Sequence, residues 1–126
     1  MSHRFTPSAL ALLSVTAALL APPAARAASS TSHGLISVAQ VMQMLEQAPT
    51  DRTAQQVLTA YLAGVGEAAG VVAEAGNTSC RTARSLSAAD VRQAIGAAAA
   101  KPGSTEVAAT PLIVRDMLER AGCRRP

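Results

Sequence analysis

Thr53 to Ala75, TAQQVLTAYLAGVGEAAGVVAEA, constrains this chain more than any other stretch. It contains no proline, and Leu58, Tyr61, Leu62, Val65, Ala69 and Val72 recur at the spacing of one helical face. The stretch predicts the central helix of a small bundle, capped by Asp51 or Thr53 and ended by Gly76-Asn77, residues that tolerate the left-handed conformation. Gly64, Gly66 and Gly70 lie inside it, and each costs about 1 kcal/mol relative to alanine. Two reasons could place them there: close approach of a neighbouring helix, which is the expectation, or close approach of a partner backbone. Gly64-Val65-Gly66 is not a dinucleotide loop, because no strand precedes it and it sits within a helix.

The remaining segments are helical too. Ser37 caps a helix over Val38–Gln47 whose Val38, Val41, Met42 and Leu45 form one stripe. Ala48-Pro49-Thr50-Asp51 makes the turn into the central helix. Ser87-Ala88-Ala89-Asp90 is a capping signal that opens a helix from Ala88 to about Ala100. Its face, Val91, Ile95, Ala98 and Ala99, is weak, so propensity rather than burial is expected to hold it. Lys101 to Ala109 reads as a loop headed by Pro102 and Gly103. Thr110 is the expected cap of a last helix, with Pro111 at its first position, a stripe of Ile113, Val114, Met117, Leu118 and Ala121, and Gly122 as its stop. The fold class is all-α, a small four-helix bundle-like domain. Only 2% of residues are aromatic, and much of the 49% hydrophobic content is alanine, so the core must be thin and built from Leu, Val, Ile and Met.

Residues 1–27 read as a cleaved signal peptide. His3 and Arg4 precede the apolar run Ala9–Ala21, Pro22-Pro23 break it, and Ala25-Arg26-Ala27 offers a small-residue cleavage site. The run falls short of the ~20 residues that span a bilayer, and no later segment is expected to do so, leaving no stable membrane anchor. Residues 28–34 form a polar, flexible leader, and 35–126 the helical domain. Loss of Arg4 and Arg26 leaves nine basic residues against eight acidic ones, scattered and without aromatic platforms, which argues against a nucleic-acid partner. The expected compartment is the periplasm.

In an exported chain Cys80 and Cys123 are expected to pair. The bridge would close a loop of about 44 residues, worth about 4 kcal/mol in the chain-entropy model. A metal pair or a nucleophilic thiol are the alternatives, but His33 is the only histidine after residue 27. No catalytic set assembles: His33 lies in the leader, Glu67 and Glu74 share a helix face, and Asp116 pairs with Arg120 at i, i+4 as an exposed ion pair. No cofactor or metal is called for, and the chain is expected not to be an enzyme.

Tyr61-Leu62-Ala63-Gly64-Val65-Gly66-Glu67-Ala68, then Cys80, the Ser87-led helix, Pro111-Leu112-Ile113-Val114 and Gly122-Cys123-Arg124 together resemble the Rap1a/Tai family. Its members are small helical periplasmic immunity proteins, and Tyr61, Gly64 and Val65 match the family signature. The resemblance covers residues 35 to 124. Many members carry a further cysteine pair, late in the first helix and just before the tyrosine. This chain has Met44-Leu45-Glu46-Gln47 and Gln56-Val57-Leu58-Thr59 there, so packing of Val41, Met42 and Leu45 alone is expected to hold the first helix.

The resemblance implies an inhibitor that plugs a type VI-delivered peptidoglycan amidase, with a homodimer as a possible assembly. The partner-binding segment it implies is Lys101, Pro102, Gly103, Ser104, Thr105 and Glu106; a plain connector is the alternative for that loop. The alternative functions are a small periplasmic acid-stress chaperone, or a protein of this fold with no effector.

Overall fold

The structure, a computed structural model, describes residues 28–124, so the proposed signal peptide lies outside the described residues. Its elements are α1 (Val38–Gln47), α2 (Arg52–Ala75), α3 (Ala88–Ala99) and α4 (Ala109–Arg120). The helices pack in a ring, α1 against α2 and α3, and α4 against α2 and α3. The class is all-α, as expected.

Each helix start follows from a short polar side chain or a backbone partner. Ser37 and Gln40 form a reciprocal capping box on α1, and Ser87 and Asp90 form another on α3. Asp51, not Thr53, caps α2: its Oδ1 accepts from the N–H groups of Thr53 (2.7 Å) and Ala54 (3.1 Å). At α4 the expectation fails. The helix begins at Ala109 with no side-chain cap, because the Ala109 N–H donates instead to Ile36 O at 3.0 Å. Thr110 Oγ1 is engaged by the Tyr61 hydroxyl at 3.0 Å. Pro111 is then the third helical residue, still inside the turn whose N–H groups lack intrahelical acceptors.

At 24 residues α2 is about 36 Å long, twice the length of α4. Its first half packs on α1. Tyr61 meets Thr110 at the start of α4, and the two helices meet again at their C-terminal ends. So α4 runs beside the second half of α2 in the same direction. Contrary to expectation, α2 is long and apolar enough to cross a membrane by length and composition, with a mean hydropathy of 1.3 over its best 18-residue window. Alanine and glycine with few charges produce that value. Its Leu58, Val65 and Ala69 face the bundle core.

The core is small and aliphatic. Val38, Val41 and Leu45 meet Leu58, Val65, Val91, Ile95, Ala109 and Ile113 in one buried cluster. Val91 and Ile95 are fully buried, so α3 is held by burial as well as propensity, contrary to the expectation. Packing between both α1 and α4 lets two large side chains do what a broad stripe does elsewhere. Nor is α1 held by packing alone. Arg92 Nη2 donates to Leu45 O (2.8 Å) near its C-terminal end, and Val107 O accepts from Val38 N–H (2.8 Å) at its start.

The exits of α2 and α4 are shaped alike. Asn77 (φ 47°) ends α2 and Gly122 (φ 64°) ends α4 in the left-handed conformation. Each makes the paired bonds of a Schellman cap: Thr78 N–H to Ala73 O and Asn77 N–H to Glu74 O, then Cys123 N–H to Leu118 O and Gly122 N–H to Glu119 O. The exits then pair antiparallel. Ser79 and Arg124 exchange both backbone bonds (3.1 and 2.9 Å), a register that sets Cys80 opposite Cys123. The two cysteines are disulfide-bonded, as expected, with Cα atoms 3.9 Å apart.

With so few large residues in the core, truncating one is costly. Ile95→Ala is expected to lower unfolding stability by about 2–5 kcal/mol in urea titration; a loss under about 1 kcal/mol would contradict the central place given to α3.

Candidate interaction surface

A groove of about 780 Å³ opens between the second half of α2, α4 and the segment just before α1. Leu35, Ile36, Ala68, Val72, Val114 and Leu118 supply its apolar wall, and Arg115 its charge. Leu35 is 53% exposed and Val72 51%. Val72 was expected in the core. It is uncovered because α2 outruns α1, leaving α4 as the only helix beside its last turns. Val114 and Leu118, also expected in the core, are half-buried at the groove, while Ile113, Met117 and Ala121 are buried. Leu35 and Ile36 were not singled out from sequence. Their signal is plain in retrospect: two adjacent aliphatic residues directly after a polar leader, off any helical stripe.

The leader is not a free arm here. Thr31 is buried, and its backbone closes a turn with Gly34 and Leu35. Ala28 N–H donates to Gln43 Oε1 (2.6 Å), and Ser37 Oγ donates to Ser29 O (2.7 Å). His33 remains exposed within it.

The implied partner segment forms a turn at the edge of the groove. Lys101, Pro102, Gly103, Thr105 and Glu106 are exposed, and Ser104 is half-buried. Gly103 has φ 87°, a conformation that needs glycine, and its carbonyl accepts from Glu106 N–H. The turn is fastened from below. Ser104 O accepts from Ala39 N–H (3.3 Å), and Glu106 Oε2 accepts from Ser32 N–H (3.0 Å). Glu106, expected to serve a partner, is therefore engaged within the chain. The first N–H groups of α1 are all taken, by Val107 O, Ser104 O, Ser37 Oγ and Ser37 O, so that helix start offers no anion site.

The three signature residues have different roles. Val65 is buried in the core. Tyr61 is half-buried, and burial raises its hydroxyl pKa, an effect the Thr110 hydrogen bond partly offsets. Gly64 is exposed, and a Cβ on it would meet nothing within 4 Å. A Cβ on Gly66, which is half-buried, would likewise meet nothing within 4 Å, while at Gly70 the one neighbour is Arg84 Nη2 at 3.6 Å. Close helix packing within this chain therefore does not explain the three glycines, contrary to expectation.

Most of the remaining carboxylates with a role are caps or ion pairs. Arg120 binds Asp116 Oδ2 through Nε (2.7 Å), as expected, and also Asp90 Oδ1 (3.4 Å) and Ser85 O (3.2 Å), tying the start of α3 to α4. Hydrogen bonds from the Ser87 side chain and N–H hold the Asp90 carboxyl below its usual range. Among the described residues no group of three His, Cys, Asp or Glu side chains could hold a metal. The arrangement is an exposed apolar groove with a polar turn near it whose backbone is bonded to α1.

No family model, no curated protein and no solved structure matches this chain.

Two outcomes follow from this geometry. Gly64→Ala is expected to stabilise the protein by about 0.5–1 kcal/mol, read as a higher thermal midpoint, since space is open and helix propensity improves; destabilisation would restore the packing explanation. Ser32 N–H and Oγ hold the Glu106 carboxyl below its ordinary range. A depressed folded pKa stabilises above the unfolded value of about 4.3, and that stabilisation disappears as pH falls through the folded value. Glu106→Gln should therefore be less stable than wild type at pH 7, with the gap closing on acidification below about pH 4; a gap independent of pH would refute the clasp.

Proposed function

We propose that the protein is an exported, non-catalytic binding protein that acts as the Rap1a/Tai immunity proteins do, by occupying a peptidoglycan amidase. The observation that carries this reading is the uncovered apolar groove flanked by the fastened 101–106 turn. Exposed aliphatic side chains at the centre of a patch with a polar rim are what a protein partner desolvates on binding. The turn needs little ordering on contact, because its backbone is already bonded to α1. Leu35 and Val72 are exposed enough that charging them leaves the fold intact.

Leu35→Asp and Val72→Asp are expected to weaken amidase binding by at least about thirtyfold each, some 2 kcal/mol, with unchanged thermal midpoints. Wild-type affinity in both variants, measured by calorimetry, would refute the groove as the docking wall.

A second reading, the acid-stress chaperone, draws on the Ser32–Glu106 clasp alone. Protonating Glu106 would release the leader that runs into Leu35 and Ile36 and enlarge the exposed apolar surface. Binding of an apolar dye that rises on acidification in wild type but is already raised at neutral pH in Glu106→Gln favours it. Dye binding that stays flat with pH removes it.

A further inference from the structure

The disulfide is hydrogen-bonded by a cation at one of its two sulfurs. Arg84 Nη1 donates to Cys80 Sγ at 3.8 Å, and among the described residues no other arginine bonds to either sulfur. Arg81, the neighbour of Cys80, reaches across to the exit of α4, where its Cγ and Nε lie 3.4 Å from the place a Cβ on Gly122 would take, and it makes no hydrogen bond to either sulfur among the described residues. Arg124 flanks Cys123 as Arg81 flanks Cys80, so these two charges are balanced in sequence and Arg84 breaks the balance. None of the three is ion-paired among the described residues; Arg120 holds both salt bridges. Both cysteines are only half-buried.

We propose that this bond is a thiol-modification site with a built-in direction, in which Cys123 takes the incoming thiol and Cys80 leaves. An external thiolate attacks Cys123 Sγ, the S–S bond breaks, and its electron pair departs on Cys80 Sγ as a thiolate stabilised by the Arg84 guanidinium. One disulfide is exchanged for another, so the first step needs no oxidant or reductant beyond the thiol itself. The product is a mixed disulfide at Cys123. The Cys80 thiolate can return and expel the thiol. Alternatively, the second thiolate of a dithiol partner attacks the mixed disulfide, releases Cys123 as a thiol and completes a two-electron reduction.

The physical basis is that a nearby cation lowers a thiol's pKa, and the sulfur of lower pKa is the better leaving group. The fold can hold the geometry while the bond is open. The Ser79–Arg124 backbone pair and the Arg81 and Thr82 N–H bonds to Ala121 O (3.0 and 3.2 Å) do not involve sulfur. They keep Cys80 facing Cys123, and the Arg84 side chain also reaches the second half of α2, where its Nη2 lies 3.6 Å from the place a Cβ on Gly70 would take. The ligand class is a small thiol such as glutathione, or a dithiol redox protein.

The test uses the oxidised full chain after residue 27, folded, with reduced glutathione, quenched by acid. Free thiols are then alkylated and the digest read by mass spectrometry. Glutathione is expected on Cys123 in excess over Cys80 by roughly threefold or more. The excess should fall to parity in Arg84→Gln, persist in Arg84→Lys, and vanish for wild type unfolded in urea. Equal labelling in the folded wild type, preference for Cys80, or an excess that survives in Arg84→Gln would each overturn the assignment. Should Arg84→Gln shift the thermal midpoint, the Arg84→Lys protein and the urea control still decide it: preference lost in the one or kept in the other refutes it.

Discussion

The paired exits of α2 and α4 set the frame on which everything else rests. Asn77 and Gly122 bend both chains into the same left-handed turn, and Ser79 and Arg124 then exchange two backbone bonds. That register alone brings Cys80 and Cys123 together. The covalent bond locks α4 alongside the second half of α2, and by closing a long loop it removes unfolded-chain entropy worth about 4 kcal/mol. For a domain whose core holds few residues larger than valine, that is a major part of a typical net stability of about 5–15 kcal/mol.

A second backbone fastening closes the other end of α4. Ile36 O and Val107 O exchange bonds with Ala109 and Val38, and Ser37 sits fully buried between them, its hydroxyl shared by Gln40 N–H and Ser29 O. This seam gives α4 its start without a side-chain cap and sets the 101–106 turn on the first turn of α1. It also carries Leu35 and Ile36 to the groove. The apolar groove is thus a by-product of two unequal helices, α2 and α4, joined at their C-terminal ends by sulfur, while the start of α4 is fastened by backbone to the segment before α1 and by the Tyr61–Thr110 hydrogen bond to α2.

The three α2 glycines fit neither fastening. Open space surrounds Gly64 and Gly66, so their cost in helix stability is uncompensated inside this chain. The structure assigns them no packing role. Tyr61 and Val65 of the same segment do have one: the first through its hydroxyl on Thr110, the second through burial in the core.

Local chemistry was legible in the residues. Ser37, Asp51 and Ser87 announce helix starts because their short side chains bond the nearest free N–H groups, and the only two cysteines of a chain read as exported were expected to form a bridge. Periodicity identified the faces of α1 and α4 for the same reason, since burial follows the helix turn. What periodicity lacks is the identity and length of the neighbour. Val72 lies on the right stripe but past the end of α1. Val91 and Ile95 look too few until α1 and α4 enclose them. Thr110 reads as a cap until Tyr61 claims its hydroxyl. The Glu106 clasp spans 74 positions in the chain, and no local pattern signals a bond that long. The sequence by itself determined the helices and the caps of α1 and α3, because those depend on neighbours within a few residues, and the pairing of its cysteines, because there are only two of them. Only the tertiary structure decided which apolar side chains are left uncovered, because that depends on where one helix ends against another.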